Sequence, residues 1–178
     1  MAQEIYVIDS KQSNLQCSIK YSLIGRYNAV FENFSGDIDF NSKNFKKSKI
    51  SFRVKTNSIK SHFPALDQFV RSKRLLDATH FSEMTFVSKS LNVKDNRGSV
   101  EGVFDLHGVK KELSFPFLIK GPFRNSQGKD YLVAGGTWRI NRKDFNVTWN
   151  KMLDHGGIIV GDTVTIRWKM VAIKKSTP

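Results

Sequence analysis

Residues able to carry chemistry are few and scattered in this chain. His62, His80, His107 and His155 include no pair at metal-ligand spacing, and with Cys17 as the one cysteine a zinc site would have to be assembled from distant positions. The single cysteine also excludes an internal disulfide framework. Cys17 stands on the apolar side of an alternating pattern, where a small hydrophobe is a plainer role than an activated thiolate. There is no Gly-x-Ser-x-Gly elbow and no glycine-rich phosphate loop. A Ser–His–Asp arrangement leaves no local mark, because its members are distant in sequence. No distinctive acid, base or nucleophile emerges, so neither a metal nor a catalytic cofactor is expected.

The elements that would position any site are strands. Leu15, Cys17, Ile19 and Tyr21 alternate with polar residues, as do Ile50, Phe52 and Val54. The same two-residue period runs through Val100, Gly102, Phe104 and Leu106, through Leu113, Phe115, Phe117 and Ile119, and through Val164, Ile166, Trp168 and Met170. Such regular strands with one dry face call for an antiparallel sheet, either closed upon itself or packed as a sandwich. From Tyr27 to Phe40 the apolar phase slips between Phe31 and Phe34, which predicts a bulge or bend. Asp95-Asn96-Arg97-Gly98, Leu106-His107-Gly108 and Asn125-Ser126-Gln127-Gly128 predict hairpin turns. Only Ala65 to Leu76 reads as a helix, with Leu66, Phe69, Val70 and Leu76 on one side and Pro64 suited to its first turn. A short amphipathic helix between strands is well placed to roof a barrel. No repeat, linker or low-complexity tract divides residues 1–178, so one domain is expected.

Charge bounds the partners. Lys and Arg number 29 against 16 Asp and Glu, a net +13 that draws the protein toward anions without saying which. An anionic membrane surface, nucleic acid and plain solubility are all admissible. Single-strand nucleic-acid binding wants aromatics interleaved with exposed bases. Here Lys20, Arg53, Lys55, Arg139, Arg167 and Lys169 alternate to the opposite face from the aromatics, which argues against it. No apolar run approaches the roughly 18 residues of a membrane-spanning helix. The opening residues also lack the apolar core of a signal peptide. A soluble chain is expected, periplasmic or secreted where a signal peptide precedes this sequence and cytoplasmic otherwise.

Six dispersed segments, in order, resemble the YceI-like polyisoprenoid-binding family. Ile8-Asp9-Ser10-Lys11-Gln12-Ser13 is similar to its opening signature, with Gln12 where His is usual. Asn33 to Phe40 resembles its F-x-G-x-I-x-F strand, and Asp67 through Arg71-Ser72 to Leu75-Leu76-Asp77 and Phe81 its helix and following turn. Val100-Glu101-Gly102 through Leu106-His107-Gly108-Val109-Lys110-Lys111 is similar to the G-x-L-x-L-H-G-V-x-K hairpin, the most specific of the set. Ile140 to Phe145 resembles I-x-R-x-D-F, followed by Asn146 where Gly is usual, and Val160 to Val164 resembles the closing V-G-D-x-V strand.

The resemblance implies an all-β fold, an extended eight-stranded antiparallel lipocalin-like β-barrel with a short helix between strands. It also implies a long isoprenoid or other amphiphilic ligand held in a tubular pocket, commonly in the bacterial periplasm, with no reaction performed on it. The inward residues expected to line that pocket are Ile19, Tyr21, Phe31, Phe34, Ile38, Phe52, Val54, Phe69, Phe86, Phe104, Phe115, Phe117, Trp138 and Trp168. Asp67, Arg71 and Arg142 are the candidates to meet a head group, arginine suiting a phosphate through its planar fork. A plainer role for Arg142 and Asp144 is to pin a turn. The competing functions are a basic-surfaced barrel that binds a polyanion and an enzyme acting on a lipid. If the chain assembles, a two-fold homodimer is the form that base rates favour.

Overall fold

Alternating apolar and polar residues need strands with one dry face, and the computed structural model, which describes residues 4–21, 25–41, 43–151 and 160–175, supplies them throughout. The strands are β1 (Glu4–Ile8), β2 (Asn14–Tyr21), β3 (Gly25–Phe31), β4 (Phe34–Phe40), β5 (Lys49–Lys55) and the two-residue β6 (Ile59–Lys60). A helix, α1 (Pro64–Arg71), follows, and then β7 (Glu83–Lys94), β8 (Arg97–Leu106), β9 (Val109–Arg124), β10 (Asp130–Asn141) and β11 (Val160–Lys174).

Every ladder is antiparallel, and β1, β4, β5, β7, β8, β9, β10 and β11 close into an eight-membered ring. Closure is made by β1 against the end of β11, with Tyr6 opposite Lys174 and Ile8 opposite Ala172. The rest of β11 holds a second partner: Val160 to Lys169 pair with β2, which carries β3 and β6 beyond the ring as a second tier. The phase slip expected between Phe31 and Phe34 is the point where the chain changes partners. β3 lies between β2 and β6, whereas β4 lies between β1 and β5.

The expected turns are tight. Asp95 and Asn96 (φ 50° and 65°) link β7 to β8, and His107 and Gly108 (φ 54° and 73°) link β8 to β9. Two consecutive left-handed residues twist as a hairpin requires, and Asn, Asp and Gly tolerate that region best. Asn125 organises the third turn, its side chain accepting from the backbone N–H groups of Gln127 and Lys129.

The helix is shorter than the expected Ala65–Leu76. It begins at Pro64, the residue suited to its first turn, but ends at Arg71. The Ser72 hydroxyl donates to the Phe69 carbonyl at 2.6 Å, and the chain folds back so that the Leu76 and Asp77 N–H groups reach Val70 and Ser72. Serine competes in this way with helix continuation. Leu75 and Leu76 still pack inward, from a turn instead of a helical face.

Inside the ring, Phe34, Val54, Phe86, Leu91, Val100, Phe104, Phe117 and Phe145 form the main core. Phe145 is 1% exposed, and its ring meets Phe104 edge-on at 5.5 Å. Truncating so enclosed an aromatic leaves a cavity, and Phe145→Ala is expected to cost about 3–5 kcal/mol. Urea unfolding of the two proteins checks this.

Candidate functional site

Where the second tier leans over the ring, under α1, the interior is not filled. A cavity of about 140 Å³ lies there. β2 and β3 supply Cys17, Ile19, Tyr21, Tyr27 and Phe31, and α1 covers it with Leu66, Phe69 and Val70. The ring contributes Met84, Phe104, Leu106, Ile140, Val164 and Ile166. Phe69 is steadied from outside by Trp149, edge-on at 4.7 Å.

Among the fourteen residues expected to line a pocket, the structure places Ile19, Tyr21, Phe31, Phe69 and Phe104 on this wall. Phe34, Phe52, Val54 and Phe86 pack in the main core, and Ile38 packs with Tyr6 and Phe40 at the other end. Phe115, Trp138 and Trp168 stack across the interior beyond Phe104. Phe104 meets Trp138 at 5.3 Å, Trp138 meets Phe115 at 4.5 Å, and Phe115 meets Trp168 at 6.3 Å. Phe117 is buried beside them. The cavity is open where the wall is largely aliphatic and closes where it becomes aromatic. Ile59, Leu66, Leu75, Leu76, Val147 and Val160 were absent from the expected lining. They come from the helix, turns and strand ends, where the two-residue period that marks an inward position is too short to read.

Asp67 and Arg142 beside the cavity are engaged within the protein, and Arg71 in part. The Asp67 carboxylate accepts from the Tyr27 hydroxyl at 2.7 Å, the Ser61 N–H at 2.9 Å and the Ser61 hydroxyl at 2.6 Å. Arg71 donates to the Ile59 carbonyl. These bonds tie α1 to β3 and β6. Arg142, which borders the cavity and is 3% exposed, donates to the carbonyls of Gly161 (2.8 Å), Val147 (2.6 Å), Trp149 (2.8 Å) and Val160 (3.3 Å), with Asp162 at 3.6 Å. The guanidinium clamps the chain on both sides of the β10–β11 connection, while Asp144 is exposed. Asn146 ends that turn in the left-handed region at φ 59°, which explains how it stands where glycine is usual.

The other candidates for chemistry are Cys17 and the histidines. Burial pushes the Cys17 thiol up to about 12, so the reactive thiolate is suppressed. His80 pairs with Asp77 at 2.9 Å, and His107 lies against the Phe81 ring at 4.3 Å. His62 is exposed, and His155 falls outside the described residues. What the cavity offers a ligand is therefore an apolar surface, bordered by Asp67 and Arg142 held in internal hydrogen bonds and by Arg71, whose buried Nε has no hydrogen-bond partner.

Comparison with known proteins agrees with this architecture. The YceI-like domain model matches residues 6–172. A UPF0312 protein of Vibrio parahaemolyticus is 34% identical over 146 residues, which cover 80% of this chain and 77% of that protein. Another from Staphylococcus aureus is 24% identical, with coverage of 89% and 91%. Among solved structures, Burkholderia cenocepacia BcnA superimposes with a TM-score of 0.80 at 21% identity, covering 92% of this chain and 98% of its own. A polyisoprenoid binding domain from Saccharophagus degradans gives 0.72 at 15% identity, with coverage of 96% and 98%.

Burial alone would raise the Asp67 carboxyl, but the hydrogen bonds from Ser61 and Tyr27 and the nearby Arg71 outweigh it and leave it lowered. A carboxylate whose folded value is depressed stabilises the fold above its unfolded value, near 3.9, and loses that contribution as pH falls through the folded one. Asp67→Asn is therefore expected to be less stable than the parent at neutral pH and to lose stability less steeply in acid. Unfolding free energies measured from neutral pH down to about pH 2 would show the two curves converging.

Proposed function

The chain belongs to the YceI-like family, and on that premise we propose that it binds a long-chain isoprenoid or similar amphiphilic lipid in the barrel interior, as a carrier, store or sensor that performs no reaction on it. The observation that supports this most is the cavity under α1, whose wall is apolar and whose neighbouring carboxylate and guanidinium groups are consumed by internal hydrogen bonds. A polar ligand group placed there would lose its hydrogen bonds to water without replacement, a cost of roughly 1–3 kcal/mol. Hydrocarbon loses nothing. The binding domain from Saccharophagus degradans, named for polyisoprenoids, shares the fold and supports the same ligand class.

Size sets what the cavity must do next. Its 140 Å³ is close to the roughly 150 Å³ apolar void that accepts one benzene, so it holds about one isoprene unit. Five carbons at about 0.8 kcal/mol each contribute about 4 kcal/mol, no more than the association cost of binding. A chain of about twenty carbons gives a gross driving force several times larger. It must then continue past Phe104 along the column of Trp138, Phe115 and Trp168, displacing those rings by rotamer changes. Since methylenes look alike, selection rests on length, bulk and head group. With Asp67 and Arg142 engaged in the protein and Arg71 bonded to the Ile59 carbonyl with its buried Nε unpartnered, the head group is left mainly to solvent or to the outer surface.

Two measurements test this reading. Affinity for prenyl phosphates, followed by calorimetry, should rise from dimethylallyl through farnesyl to geranylgeranyl phosphate. Ile19→Trp, which fills the cavity from β2, should weaken farnesyl phosphate binding at least about tenfold, the equivalent of excluding two methylenes. Equal affinity for all three chain lengths, or unaltered binding by a well-folded Ile19→Trp protein, would remove the cavity from the binding site.

A further inference from the structure

On the outer wall, β8 to β11 form a shallow trough of about 730 Å³ at the point where β9 and β10 part. Their ladder runs from Asp130 opposite Arg124 to Gly135 opposite Leu118 and goes no further. Beyond it Gly136–Asn141 pair with β11, and Val109–Phe117 pair with β8. Gly135 lies between Leu118 and Lys169 on adjacent strands, so no side chain stands between these two.

Four cations border the trough: Arg97, Lys120, Arg167 and Lys169. None of its described lining residues is acidic. Some of the barrel's other cations are paired, such as Lys55 with Glu83, Lys60 with Glu32 and Lys143 with Asp162. None of these four has an ion pair among the described residues. At their centre Leu118 is 55% exposed, next to exposed Pro116. Proline cannot donate a backbone hydrogen bond, which suits an edge without a partner.

We infer that this face docks on an anionic phospholipid bilayer, the four cations meeting lipid phosphates and Leu118 entering the boundary of the acyl region. Charge complementarity and the central apolar side chain point to that partner. A single-stranded nucleic acid would need aromatic faces on which bases stack. The trough's aromatics, Phe117 and Trp168, are instead packed into the barrel core. Docking here turns the unladdered edge between β9 and β10, and the Trp138–Phe115 column behind it, toward the membrane. The inference does not depend on what the cavity holds.

Vesicle co-sedimentation tests it. The wild-type protein is expected to bind vesicles of equal parts phosphatidylcholine and phosphatidylglycerol, to ignore pure phosphatidylcholine, and to weaken as salt rises. The double variant Arg167→Ser/Lys169→Ser should lose about fivefold in partitioning for each charge removed, the contribution expected of one basic side chain at such a surface. Lys46→Ser/Lys47→Ser removes the same charge at exposed positions of the β4–β5 connection and should change nothing. Equal loss in both variants would mean that net charge acts without a docking face. Binding to an oligothymidylate but not to the mixed vesicles would make the trough a nucleic-acid surface. Either result overturns the inference.

Discussion

One strand that pairs with β10 along one edge and shares its other edge between two partners holds this molecule together. β11 pairs over Val160–Lys169 with β2 and over Ala172–Lys174 with β1, and by doing both it closes the eight-strand ring while carrying a second tier above it. Closure removes the free edge that β1 would otherwise offer for pairing with other chains. It also creates the interior. The second tier extends that interior beyond the ring, and α1 is the piece that covers the extension. Arg142 depends on the same strand, because two of its carbonyl acceptors, Val160 and Gly161, are the first residues of β11.

The interior is graded along its length. Under α1 the wall is mostly Ile, Leu and Val, and space remains. Further along, Phe104, Trp138, Phe115 and Trp168 meet at centroid distances of 4.5 to 6.3 Å and occupy the middle of the barrel. Barrels of about eight strands either fill with side chains or hold one small ligand, and this one does each at a different level. Any long ligand must therefore exchange contacts with the aromatic column for contacts of its own, one apolar surface for another. Such an exchange alters solvation little, so chain length can be accommodated by side-chain rearrangement without opening the sheet.

Most of the fold was legible because its signals are local. A two-residue period marks an inward face, and paired Asp-Asn or His-Gly residues mark left-handed hairpin turns. The phase slip at Phe31 and Phe34 was visible too, though not its meaning, since the sequence carries no record of which strands become neighbours. The helix end was misplaced because hydrophobic spacing continues to Leu76 while the Ser72 hydroxyl turns the chain at Arg71. Apart from Phe69 on the helix, the tunnel candidates were chosen by strand phase within the barrel that the resemblance implied, and phase says that Phe86 and Ile19 both point inward without saying at which height. Only the heights separate the cavity wall from the packed column. Asp67, Arg71 and Arg142 carry the right chemistry for a head group, but their burial against carbonyls, Ser61 and Tyr27 is a three-dimensional fact.

Native mass spectrometry of the protein as purified from cells, followed by organic extraction, tests the central claim most directly. A lipid-binding barrel should carry a stoichiometric molecule with a long apolar chain, released by solvent and restored by adding a polyprenyl phosphate. A bare protein mass that stays unchanged on adding polyprenyl phosphates would contradict it.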